Sequence, residues 1–185
     1  MAALCVCVLV VCFAFRHEGA REQGVQAAAF ELDRTVEMGA VVFDVDSTWR
    51  ECTDVAESVF AGEVLYIVDD VRQLAVASDF GASGLDAAAY EASLKKGVLE
   101  YAGYSDVEWT DLTAGEQATV AGFSCEIYEY EYTYYTPGTQ TPLYQYRKDC
   151  YLAADGEVCV FSLGSSAGSD SSVLDAVLAT VAPAA

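Results

Sequence analysis

Histidine is almost missing from this 185-residue chain: His17 is the only one. It stands beside an apolar N-terminal run, so the commonest general base and the commonest metal ligand are lacking from the body of the protein. Ser-His-Asp and Cys-His catalytic arrangements are thereby excluded. Basic residues are scarce as well, 9 against 29 acidic ones, for a formal net charge of −20. A surface of that sign repels phosphate backbones, so no nucleic-acid partner is expected, and it is an ordinary means of staying soluble. The cysteines of the body, Cys52, Cys125, Cys150 and Cys159, include no CxxC pair. Neither a zinc site nor a thioredoxin-type redox motif is expected. There is no phosphate-cradling glycine motif and no internal repeat, and nothing calls for a metal or a cofactor.

Apolar material is plentiful. Hydrophobic residues make up 54% of the chain, with 12 Tyr and 8 Phe, enough for a packed interior. Ala2 to Phe15, AALCVCVLVVCFAF, is an unbroken apolar run followed by Arg16, His17 and Arg21. It is shorter than the ~17–25 residues a membrane-crossing helix needs and within the ~7–15 of a signal-peptide core. It lacks the basic start of such a peptide, and basic residues after it favour a cytoplasmic side. Leu9-Val10-Val11-Cys12 is similar to a lipoprotein box, which makes Cys12 a candidate for lipidation. We divide the chain into a signal or anchor segment (1–15), a linker (16–35) and one folded domain (36–185), the membrane being reached through the N-terminal segment.

Along the domain, Val41 to Val45, Trp49 to Thr53, Val64 to Val68 and Gln73 to Ala77 read as strands, the last two as a hairpin turning at Asp69-Asp70. Ser83 and Asp86 have the spacing of a capping box. Ala87, Tyr90, Leu94, Val98 and Tyr101 then recur at helical steps, with Glu91, Lys95 and Lys96 expected outward. Val107 to Leu112 reads as a strand and TAGEQATVAG as a turn-rich link with room for a brief pairing at Gln117 to Val120. FSCEIYEYEYTYY (123–135) and LYQYRKDCYLA (143–153) form a hairpin. Centring its connection on Thr139 sets Tyr132 opposite Tyr146 and Tyr128 opposite Cys150, with the aromatics on one face and, on a solvated one, Glu131 opposite Arg147 and Glu129 near Asp149. AADGE turns the chain into Val158 to Leu163, which makes Cys150 and Cys159 opposed or diagonal neighbours: a cross-strand disulfide if the domain is exported, two small buried residues if not. Val173, Leu174, Val177, Leu178 and Val181 line a last helix, closed by Pro183. The order of elements predicts an α+β fold, an antiparallel sheet packed with helices in an α/β/α-like sandwich.

One stretch invites an enzymatic reading. VVFDVDSTW (41–49) has the Asp-x-Asp-x-Thr pattern that opens haloacid-dehalogenase-type phosphatases, with Asp44 as nucleophile, Asp46 as acid/base and Mg²⁺ held with a later carboxylate such as Asp69-Asp70. Spacing argues against it: the chain between Asp46 and Asp69 is too short for the intervening parallel strands, and the three lysines are Lys95, Lys96 and Lys148. The expectation is a protein that is not an enzyme. The tyrosines suggest instead core packing, or a ligand pocket between sheet and helix lined by Tyr90, Tyr130, Tyr132 and Tyr146.

From about Val36 to Val181 the ordered pattern resembles the PsbP-like fold shared by photosystem extrinsic subunits, a nuclear-import factor and LpqN-type actinobacterial lipoproteins. The resemblance rests on Phe43-Asp44-Val45 followed by Trp49-Arg50-Glu51, on GASGLDAAAYEASLKK, on Gly122 before FSCEIYEYEYTYY, and on YQYRKDCYLAADGEVCVFSL with its closing helix. It implies a sandwich around an antiparallel sheet, no catalytic set to carry over, and a role in binding or assembly with an envelope protein or a small ligand. The lipoprotein branch further implies export to the cell envelope and anchoring there.

Overall fold

The computed structural model describes residues 30–52, 63–78, 80 and 86–184. The chain forms β1 (Arg34–Met38), β2 (Val41–Val45), β3 (Arg50–Cys52), β4 (Val64–Ile67), β5 (Arg72–Ala77), α1 (Ala87–Glu100), β6 (Ser105–Val120), β7 (Phe123–Tyr135), β8 (Leu143–Ala154), β9 (Glu157–Ser165), α2 (Ser172–Thr180) and β10 (Ala182–Pro183). All pairings are antiparallel: a three-stranded sheet in the order β1-β2-β10 and a seven-stranded sheet in the order β3-β4-β5-β9-β8-β7-β6. With two helices among the described residues, the architecture is α+β. Cys12, the apolar run and Ser83 lie outside the described residues. No helix among the described residues is long and apolar enough to cross a membrane.

Strand alternation divides the core. On one face of the large sheet, Leu74, Val76, Leu152, Phe161 and Leu163 meet the small sheet's Val41, Phe43 and Val45 and the α2 residues Val173, Leu174 and Val177, all of them fully buried. Each such side chain contributes roughly 1.5–3 kcal/mol on leaving water. Phe43 packs edge-on against Phe161, with ring centroids 5.1 Å apart. On the other face, α1 lies over a smaller cluster of Ala77, Phe80, Ala87, Tyr151 and Val160, with Tyr90 and Tyr128 against it. Folded structure begins before Val36: Phe30 sits 6.0 Å from Trp49, and β1 starts at Arg34.

Several expectations need correcting. TAGEQATVAG is mostly strand: the pairing expected for Gln117 to Val120 extends back through Thr113, because β6 runs to Val120 against β7 and only Ala121-Gly122 turn. Irregularities between Asp111 and Thr113 and between Ala114 and Glu116 absorb the turn-like residues, Gly115 taking a φ of +77°. The β7–β8 register differs by one residue: Glu131, not Tyr132, is level with Tyr146, and Ile127, not Tyr128, with Cys150. Because side chains alternate, that single step exchanges every face relation between the two strands. The disulfide follows the register, joining Cys125 to Cys150 across β7 and β8, and Cys159 is a buried free thiol. The hairpin at Asp155-Gly156 is as expected, with φ of 49° and 87°.

Candidate functional site

The face of the large sheet beneath α1 gathers the unusual chemistry. Tyr128, Tyr130, Tyr132 and Tyr134 alternate along β7, and the observed register sets Asp149 level with Tyr128 and Arg147 level with Tyr130. The pair expected on a solvated face therefore lies on the tyrosine face. Arg147 Nε donates to Asp149 Oδ1 at 2.9 Å and to Oδ2 at 2.7 Å, and the Asp149 side chain is 0% exposed.

Helix α1 adds an acid to this pair. Asp86 caps the helix by accepting from the Ala89 amide at 2.6 Å, which fixes where the first turn begins. Ala87, Glu91 and Val98 then face the sheet, and Glu91 is only 7% exposed. This corrects the expectation that Glu91 points to solvent: it belongs to the 87-91-94-98 stripe as well as Tyr90 does to its own. Tyr151, on β8, donates its hydroxyl to Glu91 Oε1, while Glu91 Oε2 accepts from no donor and has the Asp149 carboxyl beside it. Burial, then the Asp149 carboxylate, pushes Glu91 up to about 9, with Arg147 opposing. Glu91 is thus a neutral carboxylic acid at neutral pH, able to donate to Asp149 while accepting from Tyr151. Burial likewise pushes the Tyr90 phenol up to about 12.

An aromatic stack continues from this network toward the sheet edge. Trp109, on β6, lies 4.3 Å from the Tyr130 ring centroid and 5.1 Å from that of Tyr132, nearly parallel to the latter at 7°. Lys95 Nζ reaches back from α1 to Asp111 Oδ2 at 2.5 Å and stands 5.3 Å above Trp109, while Trp109 Nε1 donates to Asp111 Oδ1 at 2.6 Å. The helix is therefore tied to β6 by charge and to the centre of the sheet by Glu91.

On the opposite side of the network the floor is low. Gln73, Gly164, Arg147 and Tyr130 are level across β5, β9, β8 and β7. No heavy atom lies within 4 Å of where a Gly164 side chain would begin. The Arg147 side chain, 29% exposed, borders this notch. Gln73 Oε1 is buried without a hydrogen-bond partner.

Of the four tyrosines expected to line a pocket, Tyr90, Tyr130 and Tyr132 come to this face. Tyr146 does not: it is buried on the opposite face, donating to Glu129 at 2.6 Å. The register slip is the reason. Glu91, Arg147, Asp149, Tyr151 and Trp109 were not singled out in the sequence, although Arg147, Asp149 and Tyr151 stand at alternate positions of RKDCY.

The carboxylates of VVFDVDSTW have local partners. Asp44 Oδ1 accepts from Thr35 Oγ1 at 2.6 Å, on the small sheet. Asp46 holds the following turn, accepting from the Thr48 amide at 2.8 Å, the Thr48 hydroxyl at 2.6 Å and the Glu31 amide at 3.0 Å. These bonds, Thr48's first, hold its carboxyl below the usual range. Asp69 belongs to the large sheet's β4–β5 hairpin and accepts from the Val71 and Arg72 amides and from Arg72 Nε. Trp49 is buried, 6% exposed. Among the described residues no group of three or more His, Cys, Asp or Glu is placed to hold a metal ion.

No family model matches the chain, and no curated protein matches it. Among solved structures it is similar to LpqN, described as involved in cell envelope biogenesis of Mycobacterium tuberculosis. The identity is 16%, the match covers 82% of this chain and 90% of that one, and the TM-score is 0.37. At that TM-score the likeness carries no argument about this chain's function.

Proposed function

We propose that this chain is a non-enzymatic protein of the cell envelope, exported or anchored through its N-terminal segment, whose PsbP-like domain binds a small ligand between α1 and the large sheet. The compartment rests on the Ala2–Phe15 run and the Cys12 box. One observation carries the binding site: a charged network, Arg147-Asp149-Glu91-Tyr151, is built into a sheet face where apolar residues would pack at least as stably. Arg147 borders the notch over Gly164, and its fixed fork of donors suits a carboxylate or carbonyl oxygen.

Native mass spectrometry of the protein purified under non-denaturing conditions tests this directly. A small molecule is expected to co-purify with the wild type and to be absent from the double variant Arg147→Gln, Asp149→Asn, which removes both charges together. Ligand-free spectra for both, with small carboxylates such as benzoate failing to raise the melting temperature of the wild type, refute the site. Mg²⁺-dependent hydrolysis of a phosphate ester, lost in folded Asp44→Asn, would establish the phosphatase alternative instead.

A further inference from the structure

Cys125 on β7, Cys150 on β8 and Cys159 on β9 lie on the α2-facing side of the large sheet, on three adjacent strands. Cys125 is level with Leu152 in one ladder, and Cys159 is level with the same Leu152 in the next. Cys150 sits two residues back on the middle strand, so it has the same diagonal offset, in the same sense, to both outer cysteines. The bonded diagonal has a Cα separation of 6.3 Å, within reach of a disulfide. Strand order places the two outer cysteines on opposite flanks of Cys150.

We infer that Cys159 is a resolving thiol for the Cys125–Cys150 disulfide, so that the bond has two interchangeable positions. The Cys159 thiolate attacks Cys150 Sγ. A Cys150–Cys159 bond forms as the Cys125–Cys150 bond breaks, and Cys125 departs as a thiolate that takes up the proton Cys159 gave up. One disulfide and one thiol exist before and after, so no oxidant or reductant is consumed.

The exchange changes what is crosslinked. In one state β7 is tied to β8, and in the other β8 is tied to β9, leaving the β6–β7 ribbon with its Trp109-Tyr130-Tyr132 stack without a covalent link to the sheet centre. The Cys125–Cys150 bond spans 25 residues and the alternative only 159 − 150 = 9, so the chain-entropy contribution favours the first as the resting state. Neutral pH holds the exchange back. Burial, then the Glu157 carboxylate, pushes the Cys159 thiol up to about 11, against a backbone hydrogen bond from Ala40. The β1–β2 turn otherwise offers the Met38 carbonyl, 3.9 Å from Cys159 Sγ, and α2 and β2 face this cluster with Val173, Val177, Val41 and Phe43.

Oxidised full-length protein carrying Cys52→Ser, held at pH 7 and at pH 9.5 without added thiol, quenched in acid, alkylated under denaturing conditions and mapped by mass spectrometry, tests the inference. Cys159 is expected as the labelled domain cysteine at pH 7, with labelled Cys125 appearing at pH 9.5 and not when Cys159→Ser is added. Labelling of Cys159 alone at both pH values, or of Cys125 regardless of Cys159, overturns it. Cys125→Ser refolded in a glutathione redox buffer is expected to form Cys150–Cys159. A folded variant with both thiols free overturns the inference, and should that variant not fold, the pH mapping decides.

Discussion

Replacing Glu91 by Gln should stabilise the protein at neutral pH, and by an amount that depends on pH in a prescribed way. Gln keeps the acceptor for Tyr151 and supplies an N–H for Asp149, but needs no proton from solvent. Glu91 does: its carboxyl ionises near 4.5 in the unfolded chain and at about 9 in the folded one, through burial and then the Asp149 carboxylate. The folded state therefore binds one more proton between those values, and wild-type stability falls as pH rises through that window. The slope is about 1.4 kcal/mol per pH unit at 25 °C, and the penalty accumulated by pH 7 is about 3 kcal/mol. Asp33, Asp46, Asp111 and Asp170, all held below their usual range, titrate beneath this window and leave it clean. Urea unfolding of both proteins at pH 5, 6, 7 and 8 with the disulfide intact measures the difference. The advantage of Glu91→Gln should widen by roughly 4 kcal/mol from pH 5 to pH 8. In melting temperature that advantage corresponds to roughly 6–12 °C at pH 7 for a domain of this size. Parallel stability profiles would show that Glu91 is not held neutral in the fold, and the account of the network would fail with it.

Two further outcomes follow from the same physics. Arg147→Gln alone strands the fully buried Asp149 carboxylate and should cost roughly 3–5 kcal/mol in urea unfolding, while adding Asp149→Asn should recover most of that loss. Gly156→Ala places a side chain at φ +87° in the β8–β9 turn and should cost about 1–2 kcal/mol, whereas an equal change at Gly164, whose φ is not positive and whose added Cβ meets no heavy atom within 4 Å, carries no such left-handed penalty.

The legible part of the fold was local. Val41 to Val45 alternates and is a strand with Phe43 and Val45 buried. Phe123 to Tyr135 has the span read from its composition, and Val173, Leu174, Val177 and Leu178 are the buried face of α2. Trp49, at the start of the stretch read as the next strand, is core as well. Less was legible at the candidate site. Tyr90, Tyr130 and Tyr132 were named, but their partners Glu91, Arg147 and Asp149 were assigned to solvent. Charge is the ordinary marker of an outward face, and a residue that is buried in spite of it leaves no trace in a hydropathy pattern.

The sequence by itself determined the periodicities and the turn at Asp155-Gly156, because each depends on residues within a few positions of one another; it set a capping box at Ser83 and Asp86, and in the fold Asp86 is itself the cap. It also determined that a histidine could not serve the domain's chemistry. Only the tertiary structure decided the β7–β8 register, and with it which cysteine pairs with Cys150 and which face receives Arg147 and Asp149. A strand's period of two is unchanged by a one-residue slip, and TPGTQTP is compatible with either pairing. What selects between them is packing on both sides of the sheet at once: Cys150, Leu152 and Phe161 against α2 and β2, and Tyr151 and Asp149 against Glu91.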